Sequence, residues 1–278
     1  MPAKPPANAP VADDPWSVLR RLTTARIGLG RAGSSLPTRH HLAFQLDQAR
    51  ARDAVLTPLD VPRLEQELAA LGLPPIMLRS AAGERRTYLQ RPDLGRRLDA
   101  ESAARLASLG TPGEPPDIAL IVADGLSAPA VQTHAVPLLQ ALLPQLPAAW
   151  RLAPLSLVEQ GRVAISDEIG ALLHARLAVI LIGERPGLSS PDSLGAYLTY
   201  GPRIGNTDAG RNCLSNIRAA GLSYAAAAHK LHYLMGQALA RELSGVALKD
   251  EALGLAAGTP PSDRAGSFLL GADEPPAG

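Results

Sequence analysis

The chain has 278 residues, of which 46% are hydrophobic and 19% charged, a balance with ample material for a folded core. Lys and Arg number 27 against 26 Asp and Glu, and a net charge of +1 argues against a protein dominated by phosphate contacts to nucleic acid. The aromatic residues (2 Trp, 5 Tyr, 2 Phe) are too few for base-stacking platforms. A single cysteine, Cys213, excludes a disulfide framework and a multi-cysteine zinc site.

Residues 1–15 carry five prolines and no apolar h-region, so they read as a disordered arm and not as a secretory signal. With the sparse cysteine usage, this places the chain in the reducing cytoplasm. Residues 16–112 form a mainly helical N-terminal domain rich in arginine, with 15 Arg against 9 acidic residues. Helical spacing predicts helices over Trp16 to Gly28, Thr38 to Leu56, Asp60 to Gly72 and Asp93 to Leu109. The second carries Leu42, Phe44, Leu46, Ala49 and Val55 on its apolar side, and Arg39, Arg50 and Arg52 on the other.

The run GEPP at 113–116 is a linker. Beyond it, short apolar runs predict strands over Asp117 to Ala123, Leu155 to Val158 and Leu177 to Ile182. Helices follow over Ala128 to Leu143 (bent at Pro137), Ala164 to His174, Pro191 to Tyr200 and Ser223 to Leu243. The β-α-β alternation implies an α/β fold: a Rossmann-like parallel sheet with helices on both faces, occupying 117–255. The remaining 256–278 reads as a flexible tail.

Ligands of such sheets bind beyond the carboxyl ends of the strands. That rule selects the loops Asp124–Ser127, Glu159–Val163 and Gly183–Gly187, each of which combines glycine with a carboxylate. Other motifs fail on context. Gly28–Gly33 (GLGRAG) matches G-x-G-x-x-G with Asp53 20 residues on, but it follows a predicted helix, not a strand. Neither a P-loop nor a G-x-S-x-G elbow is present, and Ser127 reads as a helix N-cap. His229 and His232 lie three apart without a supporting carboxylate, so no metal ligand is assigned. By residue type alone Cys213 reads as structural, although its setting RNCLSNI is polar and loop-like. No complete catalytic constellation emerges, which suggests a chain that binds and leaves the chemistry to something else.

Seven stretches carry a resemblance. They are Leu22–Ser35 (LTTARIGLGRAGSS), Phe44–Val55 (FQLDQARARDAV), Ala123–Ser127 (ADGLS), Val158–Val163 (VEQGRV), Ile182–Leu194 (IGERPGLSSPDSL), Arg211–Ile217 (RNCLSNI) and Leu243–Asp250 (LSGVALKD). In order and without large gaps over about 16–250, they resemble the small subunit of ethanolamine ammonia-lyase.

The resemblance implies an adenosylcobalamin-dependent enzyme that converts ethanolamine to acetaldehyde and ammonia by a radical route. It also implies a large catalytic subunit as partner, holding the substrate. Carried over by motif, the cobalamin-contacting positions are Val163, Glu184 and Cys213, the last overturning the structural reading of that residue. No catalytic residue is carried over. The absence of D-x-H-x-x-G implies that cobalamin keeps its own lower base. Arg26, Arg31, Arg50 and Arg52 become candidates for pairing with carboxylates of the large subunit. The proline-rich arm either addresses a bacterial microcompartment or trails. The alternatives from other classes are a stand-alone α/β enzyme using Cys213 with a histidine, and a small-molecule-binding module using the strand-end loops.

Overall fold

Six strands form one sheet: β1 (Ile76–Arg79), β2 (Ile118–Ala123), β3 (Ser156–Glu159), β4 (Leu177–Gly183), β5 (Leu194–Tyr200) and β6 (Arg211–Ile217), in the order β1-β3-β2-β4-β5-β6. The computed structural model describes residues 11–110 and 113–252; most of the expected N-terminal arm and all of the expected tail at 256–278 lie outside the described residues. Strands β2 (IALIVA) and β4 (LAVILIG) are buried along their whole length, which is why both are apolar without alternation.

Seven α-helices accompany the sheet among the described residues: α1 (Thr38–Leu56), α2 (Val61–Ala70), α3 (Arg85–Gln90), α4 (Ala100–Ala107), α5 (Ala128–Leu142), α6 (Ile165–Leu172) and α7 (Tyr224–Arg241). Ile118, Leu120 and Val122 face one core with Leu64 and Leu68 of α2, Leu138 of α5 and Leu231 of α7. Ala119, Ile121 and Ala123 face the other with Leu106 of α4 and Ile165 and Ile169 of α6. The period-two alternation of a strand thus divides β2 between two apolar layers.

The expected parallel sheet needs correction. Strands β1 to β4 are mutually parallel, but β5 and β6 run antiparallel to their neighbours, so the sheet is mixed. The helix expected over Pro191 to Tyr200 is strand β5, in which Leu194, Ala196 and Leu198 are buried against the sheet's neighbours. A seven-residue apolar run does not distinguish the two states by period alone.

Strand β1 arises inside the 16–112 segment and pairs with β3, so that segment is not helical throughout. The GEPP linker joins two parts of one sheet. The helix expected from Trp16 reaches only Arg21, as a 3-10 turn, before Thr23 and Thr24. The one expected from Asp93 is a 3-10 turn at Leu94–Arg96 followed by α4, whose N-cap Asp99 accepts from the Ser102 amide at 2.7 Å. Helix α1 has the predicted bounds; α2, α5 and α7 start from the side-chain caps Asp60, Ser127 and Ser223.

The chain runs from β2 through α5 to β3 on one side, then through α6 to β4 on the other side of β2. This reversal between β2 and β4 is where an open α/β sheet ordinarily leaves a ligand crevice. Here backbone closes its base. The Leu126 amide donates to the Gly183 carbonyl at 2.9 Å. A Cβ on Gly183 would stand 2.1 Å from the Ser127 carbonyl oxygen, and one on Gly125 (φ +58) 2.2 Å from that of Gly183. Only glycine fits either place. The open rim lies beyond this contact, between the loops that follow β2, β3 and β4 and the side chains of β5 and β6.

Gly183→Ala is expected to lower the unfolding free energy by about 3 kcal/mol, the upper range for overpacking a tight interior. A denaturant midpoint equal to the wild type would show that the two loops separate freely.

Candidate functional site

The rim is organised from beneath by one buried ion pair. Asp124, at the end of β2, accepts the Gly161 amide on Oδ1 at 3.2 Å and faces Arg85 Nη1 with Oδ2 at 3.4 Å. Arg85 is the first residue of α3. Its Nε donates to the Val55 carbonyl at the end of α1 (2.7 Å), and Nη1 also reaches the Gly125 carbonyl (2.8 Å) and Gln160 Oε1 (3.2 Å). One guanidinium thus ties α1 to the loops after β2 and β3. Tyr88, one turn along α3, is fully buried and donates its hydroxyl to the Gly161 carbonyl at 3.0 Å. The guanidiniums of Arg162 and Arg85 lie 4.2 and 4.8 Å from its ring centroid. Burial pushes the Asp124 carboxyl up to about 6, against the pull of Arg85 and of three backbone amides. Burial likewise raises the Tyr88 phenol, helped by the charge of Asp124.

A second constellation holds Glu184, immediately after β4. Its amide donates to the Ser193 carbonyl at 2.9 Å. Its carboxylate accepts from the Ser193 hydroxyl, the Ser215 hydroxyl (2.6 Å) and the Asn216 amide (3.2 Å). The last two donors come from a bulge. Leu194 pairs with Ile217 but Ala196 with Leu214, so β6 has one residue more than β5 between these pairs. Asn216 takes a left-handed conformation there (φ 59). An ionised carboxylate has about four acceptor positions, so three protein donors leave one for an external N–H.

The three sequence-predicted residues meet on two adjoining cavities. Val163 and Cys213 line one of about 540 Å³. Val163 and Glu184 line the next, of about 390 Å³, with apolar walls from Leu126 and Ile182. Arg162, Val163 and Tyr197 belong to both. Tyr197 is half-buried on β5, opposite Cys213 in the register of β5 and β6.

Cys213 lies on a strand, not in a loop, and is exposed. Loss of solvation still pushes its thiol up; the Tyr197 hydroxyl works against this and the charge of Glu184 with it. A thiol held protonated is the opposite of an activated nucleophile. Nothing among the described residues gives it a histidine partner. The Gly28–Gly33 stretch follows a 3-10 turn and irregular chain, not a strand, as a dinucleotide fingerprint would need. His232 packs its ring beside Trp150, with centroids 5.9 Å apart.

Four further residues shape the site and were not singled out from sequence: Arg85, Tyr88, Tyr197 and Arg211. The Arg211 side chain is 2% exposed and forms a two-pronged pair with Asp167 of α6, both contacts at 2.7 Å. It fastens β6, and with it Cys213, to the helix that follows Val163. Its pairing was unreadable because Asp167 lies 44 positions away.

The comparisons agree with one another. A family model described as "Ethanolamine ammonia-lyase light chain (EutC)" matches residues 13–249. The chain is 62% identical over 268 residues to the ethanolamine ammonia-lyase small subunit of Azotobacter vinelandii, covering 95% of this chain and 98% of that one. It is 60% identical over 247 residues to that of Ralstonia nicotianae (88% and 91% covered). It is 57% identical over 265 residues to that of Pseudomonas aeruginosa PAO1 (94% and 96% covered).

Asp124 gives the rim a pH signature. Its folded value of about 6 lies above the ordinary 3.8, so the folded chain holds this proton more tightly than the unfolded one. The associated stability is full below about pH 4 and is lost as pH rises through about 6, a term on the order of 2–3 kcal/mol. Asp124→Asn cannot ionise and is expected to lose that slope. Denaturant midpoints of both proteins from pH 4 to 7 measure it, and parallel curves would refute the assignment.

Proposed function

Because the chain belongs to the ethanolamine ammonia-lyase light-chain family, we propose that it forms one wall of an adenosylcobalamin site completed by a large catalytic subunit. The reaction is the conversion of ethanolamine to acetaldehyde and ammonia. The observation that carries the reading is the convergence of Val163, Glu184 and Cys213 on adjoining cavities with a shared wall.

The chemistry of these walls fits the group. A corrin is a broad disc with apolar faces and amide-bearing arms. Val163, Leu126 and Ile182 offer apolar contact, and the open acceptor position of Glu184 suits an amide N–H. When bound, the cofactor supplies a carbon-centred radical through cleavage of its cobalt–carbon bond. This chain's residues bind and orient. Glu184 is held by three protein donors before any ligand arrives, so accepting an amide costs little reorganisation. Tyr197 and Cys213 keep their protons, the former because burial and the neighbouring Cys213 and Glu184 raise its phenol. They present a neutral, hydrogen-bonding surface and no competing anion. The apolar walls keep water from the covered side of the site.

The partner reading rests on the N-terminal segment. Of the twelve large apolar residues exposed among the described residues, nine fall between Trp16 and Leu56. In α1, Leu42, Phe44 and Leu46 are 57%, 37% and 51% exposed, and only Ala54 is buried. Exposed apolar residues concentrated in one segment in this way suit a protein–protein contact. The arginines contribute less than their number implies. Arg26 pairs with Asp47 at 2.7 Å, Arg50 reaches the same carboxylate at 3.9 Å, and Arg52 lies 3.8 Å from Asp53. Arg31 alone of the four has no carboxylate among the described residues. The surface that docks on the large subunit is therefore mainly apolar.

Acetaldehyde production from ethanolamine and adenosylcobalamin is expected from the two subunits together and from neither alone; a soluble, co-purifying mixture without activity would refute the reading. In the active complex, Glu184→Gln is expected to weaken adenosylcobalamin binding by about tenfold while the subunits still co-elute, since a charge-assisted acceptor is lost. Leu42→Asp with Leu46→Asp is expected to lower co-elution and leave the thermal midpoint of the isolated chain within about 2 °C, as neither side chain is buried.

A further inference from the structure

The larger cavity is lined by Arg96, Arg162 and Arg211, against one acidic residue, Asp208. These arginines are not equivalent. Arg211 is saturated: it serves Asp167, Thr199 Oγ1 (3.0 Å), the Asn206 carbonyl (3.1 Å) and Asp208 (3.4 Å). Asp208 has only that one contact and its side chain is exposed, so it leaves one negative charge at the cavity mouth against Arg96 and Arg162. Arg96 and Arg162 have no carboxylate partner among the described residues.

The remaining two are placed side by side by the backbone. The Arg162 amide donates to the carbonyl of Gly95, the residue before Arg96, at 2.7 Å. The Arg162 guanidinium lies against the Tyr88 ring and donates through Nη2 to the Tyr88 carbonyl at 3.2 Å. Its Nε is buried without an acceptor. Its Nη1 also has no protein acceptor and is not among the enclosed unpaired atoms, so it is accessible, and the side chain lines both cavities. A stacked, half-buried guanidinium with a free prong, beside a second unpaired arginine, has the chemistry of a phosphate site.

Adenosylcobalamin carries one group of that kind. Its corrin arms end in neutral amides, whereas the arm leading to the lower base contains a phosphodiester with one negative charge. On the cobalamin reading above, we infer that Arg162 and Arg96 bind this phosphodiester. Glu184 and Val163 then serve the corrin and its amides, and the two cavities divide the cofactor between them. Glu184 is the one carboxylate of the smaller cavity, which Arg162 and Arg185 also line, while Arg96 and Arg162 offer donors to the larger. These two arginines would then favour complete cobalamin over corrinoids that lack the nucleotide arm.

The test uses the complex of this chain with its large subunit, titrated by absorbance with adenosylcobalamin and with adenosylcobinamide, which lacks the nucleotide and its phosphate. Arg96→Met removes an exposed side chain, and Arg162→Gln retains a donor toward the Tyr88 carbonyl. Each is expected to raise the Kd of adenosylcobalamin by about tenfold to a hundredfold. The adenosylcobinamide Kd should stay within about twofold, and the salt dependence of cobalamin binding should become shallower. Equal weakening for both corrinoids, or none for either, would overturn the inference while leaving the cobalamin site intact. A wild-type complex that binds neither corrinoid would instead overturn the cobalamin reading, and this inference with it.

Discussion

The pair between Arg85 and Asp124 is the constraint around which the rim is built. A carboxylate buried at the end of a central strand is costly, and the structure retains it only with a guanidinium and backbone amides turned toward it. Because Arg85 also holds the Val55, Gly125 and Gln160 oxygens, losing the guanidinium would release three segments at once. The pair is better understood as fixing geometry than as adding stability. It sets the height of the loop that carries Arg162 and Val163, and Tyr88 props that same loop through the Gly161 carbonyl.

The rest of the rim follows from where the sheet is closed and where it is open. In a doubly wound sheet the reversal between β2 and β4 would hold the ligand. Gly125 and Gly183 bring backbone to backbone at the base of that reversal, and the cavity opens beyond them, with Leu126 and Ile182 on its wall. The antiparallel addition of β5 and β6 supplies a further wall, bringing Tyr197, Cys213 and Ser215 alongside Val163 and Glu184. The mixed sheet is thus tied to the position of the site. The buried pair of Arg211 and Asp167 makes this extension rigid with respect to α6.

Legibility in the sequence tracked how local each signal was. The continuous apolar runs of β2 and β4, and the caps Asp60, Ser127 and Ser223, each lie within a few residues of what they determine. Glu184 and Val163 were reachable because strand ends are themselves local. Helix α3 has six residues, too few for a period, so Arg85 and Tyr88 looked like ordinary polar surface. Strand β1 has four residues and owes its state to pairing with β3, 80 positions on. The apolar positions of α1 were legible as a pattern, but their exposure was not, because a core face and a docking face are written with the same residues.

The bulge in β6 also bears on how the protein avoids itself. Strand β6 is the last in the sheet order among the described residues, and its outer side is only partly covered, by the bridge of Ile217 to Leu222 and the bonds of the Asn212 side chain to Gly245 and Leu248. Such an edge invites pairing with a second copy and growth into aggregates. The left-handed turn at Asn216 breaks the regular ladder at the point where Ser215 and the Asn216 amide are recruited by Glu184. A neighbouring molecule trying to extend the sheet would find donors facing inward and the ladder out of step. The irregularity that completes the carboxylate's surroundings thus also acts as a barrier to self-association, so a substitution at Asn216 that straightened the strand would be felt first as insolubility.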